Sequence, residues 1–536
     1  MSDKLHNTSG EYDSQTRADN ACCESILPHG ADNAVERHEL PRAAYTAGDE
    51  YEVRARALNS GGAGICGIDG YVVFVPGMLP GERAMVRVTE TRPSYARARI
   101  TELLEPSPDR VVPDCPHFGK CGGCCFLHIP YPVELEYKRQ MAADALRRIG
   151  GINGITVEPV IGAWGDGHEG FVRRYRNKGR YAFDNMQFGF YESGTHNVVP
   201  IGDCLLQKSD NQIILSAISS WLGQNPAAAG YIGGVTIRTG GAPENITVIL
   251  ECVAADEKNL SGQTAEIKRL FLEGAPGVGR HAGGRRMTSP KDRGGIAGCL
   301  LGRVNSLRTI VLEVQPGAGE DKHKGGGRAY KKPNVKKQSA ILYGDGFMYE
   351  NTGDFCFRVS HNSFFQVNTR GAEALYDIVG DFAQAGPGDL AVDFYCGVGA
   401  ISIYLAKTCD AVIGVETAGC AIEDARYNAK LNDLDNLTFV EGRAETTAAS
   451  LHRDKIFPGL VTLDPPRGGC GAGLIESIKK LNAGRVVYIS CDPATLCRDL
   501  ARFAEGAGGY RVVRVQPVDM FPGTAGIETV VLLEKG

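Results

Sequence analysis

From about residue 361 to the C-terminus, short apolar runs alternate with stretches of helical periodicity. The short runs are DLAVDFY, AVIGVE, LTFVEG, GLVTLD and RVVYIS, and two longer runs, YRVVRVQPVDMF and ETVVLLE, follow them. Strands that alternate with helices predict an α/β fold with a doubly wound sheet, here with an antiparallel hairpin at its end. Ligands of such sheets bind at the carboxyl ends of the strands, so the residues after each run are the candidates for a functional site.

The chain before this sheet divides into segments of different character. Residues 1–44 are polar with little apolar periodicity, which predicts a disordered leader. Residues 45–106 hold alternating apolar runs separated by Gly, Pro and Asp, which predict a small β-barrel of about five strands. Residues 107–345 mix a helix with strands and predict a central α/β domain, with a flexible Gly- and Lys-rich insertion at about 318–338. The last domain is expected to span residues 346–536.

Composition limits the compartment and the partners. No window approaches the ~20 apolar residues of a membrane span, and the N-terminus lacks the order of a signal peptide, so we expect a cytoplasmic protein with no membrane partner. Thiols stay reduced there, so clusters among the 17 cysteines indicate metal binding or catalysis. The formal net charge of -5 gives no global attraction to nucleic acid, and an RNA partner would need local basic patches.

Two basic segments could supply such patches. The predicted barrel strands carry Arg54, Arg56, Arg87, Arg97 and Arg99. Nucleic-acid binding and an ordinary solvated strand face explain these arginines equally well. In the central domain, the segment RRYRNKGR surrounds Tyr175 with basic side chains, which combines charge for phosphates with a ring for stacking.

The first strand of the sheet ends in the sequence DFYCGVG. Gly397 and Gly399 let a ligand approach the backbone closely, and Glu416 follows at the end of the next strand, where a carboxylate can bind ribose hydroxyls. The third glycine of a dinucleotide-binding motif is missing, which favours a cofactor without a pyrophosphate. S-adenosylmethionine fits this pattern better than NAD.

Another strand ends in LDPPRGG, with Asp464 directly after the apolar run. Two consecutive prolines hold the backbone extended, so the loop is either a rigid wall of the site or only a loop stiffener. Its register with the other strand ends favours the wall.

The stretch YISCDPATL places Cys491 between a strand and a helix. Asp492 is a good N-cap and Pro493 suits the first helical position, so the thiol lies at a helix N-terminus, where the dipole favours the reactive thiolate. An inert buried cysteine is the alternative, and Cys497 inside the helix is expected to be of that kind.

Cysteines in the segment CPHFGKCGGC have the spacing C-x5-C-x2-C. Cys115, Cys121 and Cys124 need a fourth ligand, for which Cys204 is the best candidate, while Cys125 points away. The set predicts a [4Fe–4S] cluster, with zinc as the alternative. The C-x3-C-x2-C spacing of radical enzymes is absent, so we expect a structural or RNA-positioning cluster.

With these motifs, the sequence closely resembles the RNA uracil-5-methyltransferase family, S-adenosylmethionine-dependent enzymes that make 5-methyluridine in ribosomal or transfer RNA. The resemblance covers roughly residues 48–536 and rests on CPHFGKCGGC, HIPYPVELEYK, YRNK, SFFQVN, DFYCGVGAISI, LDPPRGG, YISCDPATLCRDL and DMFPGTAGIETVVLL. It implies that the OB-like barrel is a TRAM domain. It also implies a central RNA-binding domain with an iron–sulfur cluster, and a C-terminal Rossmann-like methyltransferase domain.

The resemblance assigns roles to individual positions. Cys491 matches the nucleophile and Glu528 matches the general base. The positions that match cofactor contacts are Gln366, Tyr395, Glu416 and Asp464. The positions that match the cluster ligands are Cys115, Cys121, Cys124 and Cys204.

The implied reaction is methylation of carbon 5 of a specific uridine through a covalent Cys491–uracil adduct, with the nucleotide flipped out of its stack. We expect large-subunit ribosomal RNA as the substrate and a role in rRNA processing. Transfer RNA is the alternative substrate, and a non-catalytic RNA-binding iron–sulfur protein with a degenerate methyltransferase fold is the alternative function. We expect a monomer.

Overall fold

The structure is a computed structural model of the 536-residue chain. It describes residues 46–68, 70–162, 172–241, 245–255, 259–273, 295–316, 337–506 and 508–536. The predicted leader and nearly all of the Gly- and Lys-rich insertion lie outside the described residues.

The chain divides into two compact units. The first comprises Met1–Ala163, Ala374–Ile422 and Asn436–Gly536, and the second comprises Trp164–Glu373 and Glu423–Asp435. These units divide the chain at other positions than the expected domain limits, which stay a prediction.

The first unit opens with a six-stranded sheet where the barrel is predicted. Its strands are β1 (Glu50–Arg54), β2 (Ala57–Leu58), β3 (Gly64–Ile68), β4 (Tyr71–Val75), β5 (Arg83–Thr91) and β6 (Tyr95–Glu105). They lie in the order β1-β5-β6-β4-β3-β2. Alternating residues such as Val53, Val73 and Val86 are buried in a common core. The sheet has one strand more than expected, because the two-residue β2 is too short to leave an alternating pattern.

The other sheet of this unit confirms the predicted doubly wound architecture. Its eight strands are β7 (Ile161–Gly162), β17 (Leu390–Phe394), β18 (Ala411–Glu416), β19 (Leu437–Glu441), β20 (Leu460–Leu463), β21 (Arg485–Ser490), β22 (Tyr510–Asp519) and β23 (Glu528–Lys535). Their order is β19-β18-β17-β20-β21-β23-β22-β7. Strands β17 to β21 are parallel to one another. Strand β23 is antiparallel to both β21 and β22, and β22 and β23 form the predicted terminal hairpin.

Helices of the first unit are α1 (Tyr131–Arg148), α7 (Ala400–Ala406), α9 (Ala444–Arg453), α10 (Ala472–Leu481) and α11 (Pro493–Ala504). Two further helices, α6 (Thr369–Ala383) and α8 (Gly419–Leu431), contain residues of both units. All four residues of β20 are buried, which explains why such strands read as continuous apolar runs instead of alternating ones. Because β17, β18, β20 and β21 are parallel to one another, their carboxyl ends lie along one edge of the sheet.

The second unit contains a seven-stranded sheet and a separate hairpin. The sheet strands are β8 (Lys178–Asp184), β9 (Gln187–Tyr191), β10 (Val198–Pro200), β11 (Ile232–Thr239), β12 (Ile246–Ala254), β13 (Leu307–Pro316) and β14 (Gln338–Tyr343), in the order β10-β9-β8-β11-β12-β13-β14. The hairpin is formed by β15 (Phe347–Thr352) and β16 (Phe355–Ser360). The helices of the second unit are α2 (Asp210–Gln224), α3 (Pro226–Ala229), α4 (Leu260–Glu273) and α5 (Gly295–Leu301).

Of the helices in the described part of the chain, none has both the length and the apolar character that crossing a bilayer requires.

Candidate active site

The turn after β17 brings backbone N–H groups to the edge of the sheet. Tyr395, Gly397 and Gly399 have positive φ angles of 65°, 54° and 87°, a conformation that is strained for the tyrosine. Asp393, at the end of the strand, is fully buried and accepts hydrogen bonds from Ser402 Oγ at 2.6 Å and Thr462 Oγ1 at 2.7 Å. Burial raises the pKa of Asp393 to about 6.

Glu416, the last residue of β18, joins this turn to the next one. Its Oε2 accepts the Gly397 N–H at 3.3 Å, while Oε1 accepts the N–H groups of Thr417 at 2.6 Å and Ala418 at 2.9 Å. The carboxylate is therefore held in place by the backbone. A Cβ atom built on Gly397 would meet no atom within 4 Å, so there is open space above the turn.

The loop after β20 is fixed to helix α11. Thr495 Oγ1 donates to the carbonyl of Arg467 at 3.1 Å, Arg498 donates to the carbonyl of Gly468 at 2.8 Å, and the Cys470 N–H donates to Asp499 Oδ2 at 2.7 Å. These bonds hold the segment that follows Asp464 against the start of the helix. Burial, and then the neighbouring Asp393, raise the pKa of Asp464 to about 7.

Cys491 lies between β21 and α11, as predicted. Asp492 caps the helix by accepting the Thr495 N–H at 2.8 Å, and Pro493 is the first helical residue. The half-buried thiol nevertheless has a pKa raised above its ordinary value, because of burial and of the negative charge of Glu528, while Arg467 lowers it. Burial and Glu528 thus oppose the expected effect of the helix start on the thiol, and the role of Cys491 stays a prediction.

Glu528 is the first residue of β23 and pairs with Val518 of β22. It is 5% exposed, and burial together with the charge of Asp464 raises its pKa well above the ordinary value, while Arg467 lowers it. Cys491 and Glu528 thus lie within electrostatic range of each other, and both lie within range of Asp464 and of Arg467.

Two residues of this group were not among the expected site residues. Arg467 belongs to the LDPPRGG motif, which the sequence analysis identified. The motif does not show, however, that acidic side chains from other strands lie near this arginine. Tyr376 of α6 is buried and interacts electrostatically with Asp464 and Glu528, and burial is the main cause of its raised pKa. A tyrosine inside an amphipathic helix gives no sequence signal of this kind.

Gln366, the remaining expected cofactor contact, belongs to the second unit. It is 7% exposed, and its backbone carbonyl accepts a hydrogen bond from Asn177 Nδ2 at 3.1 Å. The Asn177 N–H also donates to the carbonyl of Val367 at 2.8 Å. The YRNK and SFFQVN motifs are therefore bonded to each other.

The predicted cluster ligands are divided between the units, with Cys115, Cys121 and Cys124 in the first and Cys204 in the second. Among the described residues, no group of three or more His, Cys, Asp or Glu side chains is arranged to hold a metal ion. The structure therefore does not show a metal site at the three cysteines of the C-x5-C-x2-C motif, and the cluster stays a prediction. Cys125 uses its N–H to donate to the carbonyl of Gly523 at 3.0 Å.

The structure bears on the interpretation of both basic segments. Three of the barrel arginines form ion pairs with carboxylates: Arg54 with Glu105, Arg87 with Glu50 and Arg97 with Glu90. This pairing favours the solvated-face interpretation for these three. In the RRYRNKGR segment, Tyr175 is 5% exposed, so the ring is not available to stack on a base, contrary to expectation.

The doubly wound sheet, with its glycine turn and its acidic strand ends, defines a methyltransferase fold. A family model described as tRNA (Uracil-5-)-methyltransferase matches residues 340–536, and a TRAM domain model matches residues 45–101. An uncharacterized RNA methyltransferase of Halalkalibacterium halodurans is 33% identical over 506 residues, covering 92% of this chain and 98% of that protein. Another, from Caldanaerobacter subterraneus, is 32% identical over 499 residues, with 91% and 98% coverage.

Among solved structures, the tRNA (uracil-54, C5)-methyltransferase of Pyrococcus abyssi in complex with S-adenosyl-L-homocysteine matches with a TM-score of 0.61. It is 23% identical, and the match covers 90% of this chain and 99% of that chain, which supports the fold. The chain is an RNA methyltransferase and belongs to the RNA uracil-5-methyltransferase family. The TRAM domain model matches the region of the N-terminal six-stranded sheet.

Proposed function

We propose that this enzyme transfers a methyl group from S-adenosylmethionine to carbon 5 of a uridine in RNA, with Cys491 as nucleophile and Glu528 as general base. The observation that carries the proposal is the electrostatic coupling of this thiol to this buried carboxylate, beside Arg467. Methyl transfer to an amine would require neither a thiol nor a second acidic group.

The donor set at the strand ends fits a nucleoside cofactor. Glu416 is a fixed carboxylate that can accept hydrogen bonds from ribose hydroxyls, and the space above Gly397 is open. We propose Glu416, Tyr395, Asp464 and Gln366 as contacts of S-adenosylmethionine. When bound, the cofactor supplies a methyl group on a positively charged sulfur.

Carbon 5 of uracil is too weak a nucleophile to take this methyl group directly. The Cys491 sulfur forms a bond to carbon 6, which raises the electron density at carbon 5. The resulting enolate can attack the methyl group from carbon 5. The thiol proton passes to solvent before or during this attack, and Arg467 is the positive side chain that lowers the pKa of the thiol. Glu528, after giving up its own proton to solvent, takes the proton of carbon 5, the double bond re-forms, and the thiolate leaves.

Substitution of Cys491 tests the nucleophile. Cys491→Ser should abolish turnover and keep cofactor binding, because an alkoxide is not accessible near neutral pH. Cys497→Ala is the matched control, since Cys497 is buried inside the helix that follows Cys491 and should be inert. Methyl transfer from labelled cofactor to unmethylated RNA measures both variants, and substantial activity of the serine variant would refute the role.

Substitution of Glu528 tests the base. Glu528→Gln keeps the size of the side chain but cannot take the carbon 5 proton, so the reaction should stop at the covalent protein–RNA adduct. On a denaturing gel, the labelled RNA should form a slower band because protein is attached to it, and the Cys491→Ser variant should lack this band. Normal turnover without adduct would exclude this assignment.

For the substrate, we propose a uridine of large-subunit ribosomal RNA, on the basis of the cysteine motif. Transfer RNA is the second candidate, because the matching family model is described by a tRNA reaction. Mass-spectrometric mapping of 5-methyluridine after incubation with unmethylated ribosomal and transfer RNA distinguishes the two. Cofactor binding with no methylation of either RNA would favour a non-catalytic RNA-binding protein.

We also propose, on the cysteine spacing alone, that Cys115, Cys121, Cys124 and Cys204 can hold a [4Fe–4S] cluster. Anaerobic purification followed by iron and sulfide analysis tests it directly. About four of each per chain would support the proposal, and one zinc per chain would favour the alternative. No step of the proposed reaction depends on this cluster.

A further inference from the structure

Two motifs of the sequence, HIPYPVELEYK and DMFPGTAGIE, meet around one buried lysine. Lys138 of α1 is completely buried. Its Nζ lies 2.7 Å from Asp519 Oδ1, 2.8 Å from Glu134 Oε1 and 3.2 Å from the carbonyl oxygen of Phe521. One ammonium group thus holds together the helix, the end of β22 and the loop that follows it.

The loop over residues 520–527 is fixed at a second point. The Gly523 N–H donates to Glu134 Oε1 at 2.8 Å, and the Gly523 carbonyl accepts the N–H groups of Cys125 and Phe126, both at 3.0 Å. Gly523 has a φ of 80°, a conformation that glycine adopts without strain. The backbone at residue 523 is therefore held on both sides.

This loop ends at the proposed general base. Glu528 follows it directly and pairs with Val518, the residue that precedes Asp519. The loop therefore leads directly into the backbone of Glu528, at a position beside the one where the loop begins. The pairing of β22 with β23 does not by itself determine the path of the eight residues between them.

Stability does not explain why these groups are buried. Removing three ionised groups from water costs several kcal/mol for each, and apolar side chains of similar size often give equal or greater stability. A buried ionic network does, however, define one geometry, because misplaced charges are strongly unfavourable.

We propose that Lys138 is a positioning residue for the general base: together with Glu134 and Asp519, it fixes the loop 520–527 and thereby the orientation of the Glu528 carboxylate. The proposal rests on the proposed function, since it assumes that Glu528 removes the carbon 5 proton. Lys138 itself touches no reacting atom.

A positioning role and a purely structural role affect different steps. If Glu528 is misaligned, the thiol still adds to uracil and the methyl group is still transferred, but proton removal becomes slow and the covalent adduct accumulates. If the network only stabilises the fold, its loss lowers the amount of active enzyme, and adduct and turnover decrease together.

The test uses the full chain and a variant that leaves no unpaired buried charge. Lys138→Met alone would leave two carboxylates without their cation, so it is combined with Glu134→Gln and Asp519→Asn. Arg139→Met is the matched control, because Arg139 is the next residue of α1 and forms an exposed ion pair with Glu136. Each protein is incubated with S-adenosylmethionine and with the RNA that the wild-type protein methylates, and turnover and the adduct-bound fraction are measured.

For the triple variant we expect a roughly tenfold or greater loss of turnover, a larger adduct-bound fraction than in the wild type, and unchanged cofactor binding. Arg139→Met should behave as the wild type. Adduct and turnover that fall in proportion, or unchanged turnover in the folded triple variant, would overturn the proposal. Failure of the proposed function would look different, because wild-type protein would then give no Cys491-dependent adduct or methylation at all.

Discussion

Asp499 connects the wall of the site to the helix that follows the nucleophile, so its removal should affect both stability and activity. The residue is completely buried. Its Oδ2 accepts the Cys470 N–H at 2.7 Å and the Tyr488 hydroxyl at 2.8 Å, while Arg498 and Arg502 approach Oδ1 at 2.9 Å and 3.3 Å. Asp499→Ala leaves two buried donors without an acceptor.

Each buried donor that loses its acceptor costs about 1 to 3 kcal/mol, so we expect the free energy of unfolding to fall by about 4 kcal/mol. Activity should fall about tenfold or more, because the loop from Asp464 to Arg467 loses an anchor and small displacements in an active site are costly. Urea unfolding followed by circular dichroism measures the first effect. Hydrogen exchange at the Cys470 amide tests whether the loop itself is released.

Arg502→Ala provides the control, because Arg502 is a partly exposed partner of the same carboxylate. Exposed partners of an ion pair contribute little, so this variant should lose less than about 1 kcal/mol. The reasoning is refuted if Asp499→Ala costs no more than Arg502→Ala, or if the exchange rate of the Cys470 amide stays the same.

Two further predictions concern single positions. Gly469 has a φ of 71°, and a Cβ there would collide with Asp499 Oδ2, so Gly469→Ala should destabilise the protein by about 1 to 3 kcal/mol in urea unfolding. Gly468→Ala, where a Cβ would meet nothing within 4 Å, should have a much smaller effect, and equal losses would contradict the prediction. Burial raises the pKa of the fully buried Glu350 from 4.5 to about 7, so the folded protein keeps a proton that the unfolded chain loses, and stability falls as the pH rises from about 4.5 to about 7. This pKa difference corresponds to about 3 kcal/mol, so Glu350→Gln should remove that part of the pH dependence and be more stable than the wild type at about pH 8; an unchanged pH dependence would argue against it.

The sequence was most informative where local rules determine the structure. Asp492, Pro493 and the apolar run before Cys491 predicted the strand, the cap and the helix, because capping depends only on residues a few positions apart. The doubly wound sheet followed from apolar runs that alternate with stretches of helical periodicity. The terminal hairpin was also visible, since two apolar runs follow each other without a helix between them.

Properties that depend on distant partners could not be predicted. The pairing of Arg54 with Glu105 joins residues 51 positions apart, and the buried contact of Lys138 with Asp519 joins residues 381 positions apart. The pKa of Cys491 likewise depends on Glu528 and Arg467, which other strands bring near it. A helix N-terminus favours a thiolate, and burial and a nearby carboxylate act in the opposite direction here.

The raised pKa values of Cys491 and Glu528 raise the question of how the site becomes reactive. Burial and neighbouring carboxylates raise both pKa values, while Arg467 lowers both. A positive charge beside an acidic group lowers the pKa of that group, because it stabilises the ionised form. The thiol of Cys491 would therefore lose its proton more readily beside a bound sulfonium.

The same charge disappears when the methyl group is transferred, because the sulfonium becomes a neutral thioether. The proton affinity of Glu528 then rises at the step in which this residue must take the carbon 5 proton. Alkylation of Cys491 by iodoacetamide tests this coupling, with Cys491→Ser as the blank. At constant pH, the ionised fraction of the thiol, obtained from the pH dependence of the rate, should increase with S-adenosylmethionine and not with S-adenosylhomocysteine. Equal shifts with the two ligands would show that filling the site, and not the charge of the sulfonium, controls the thiol.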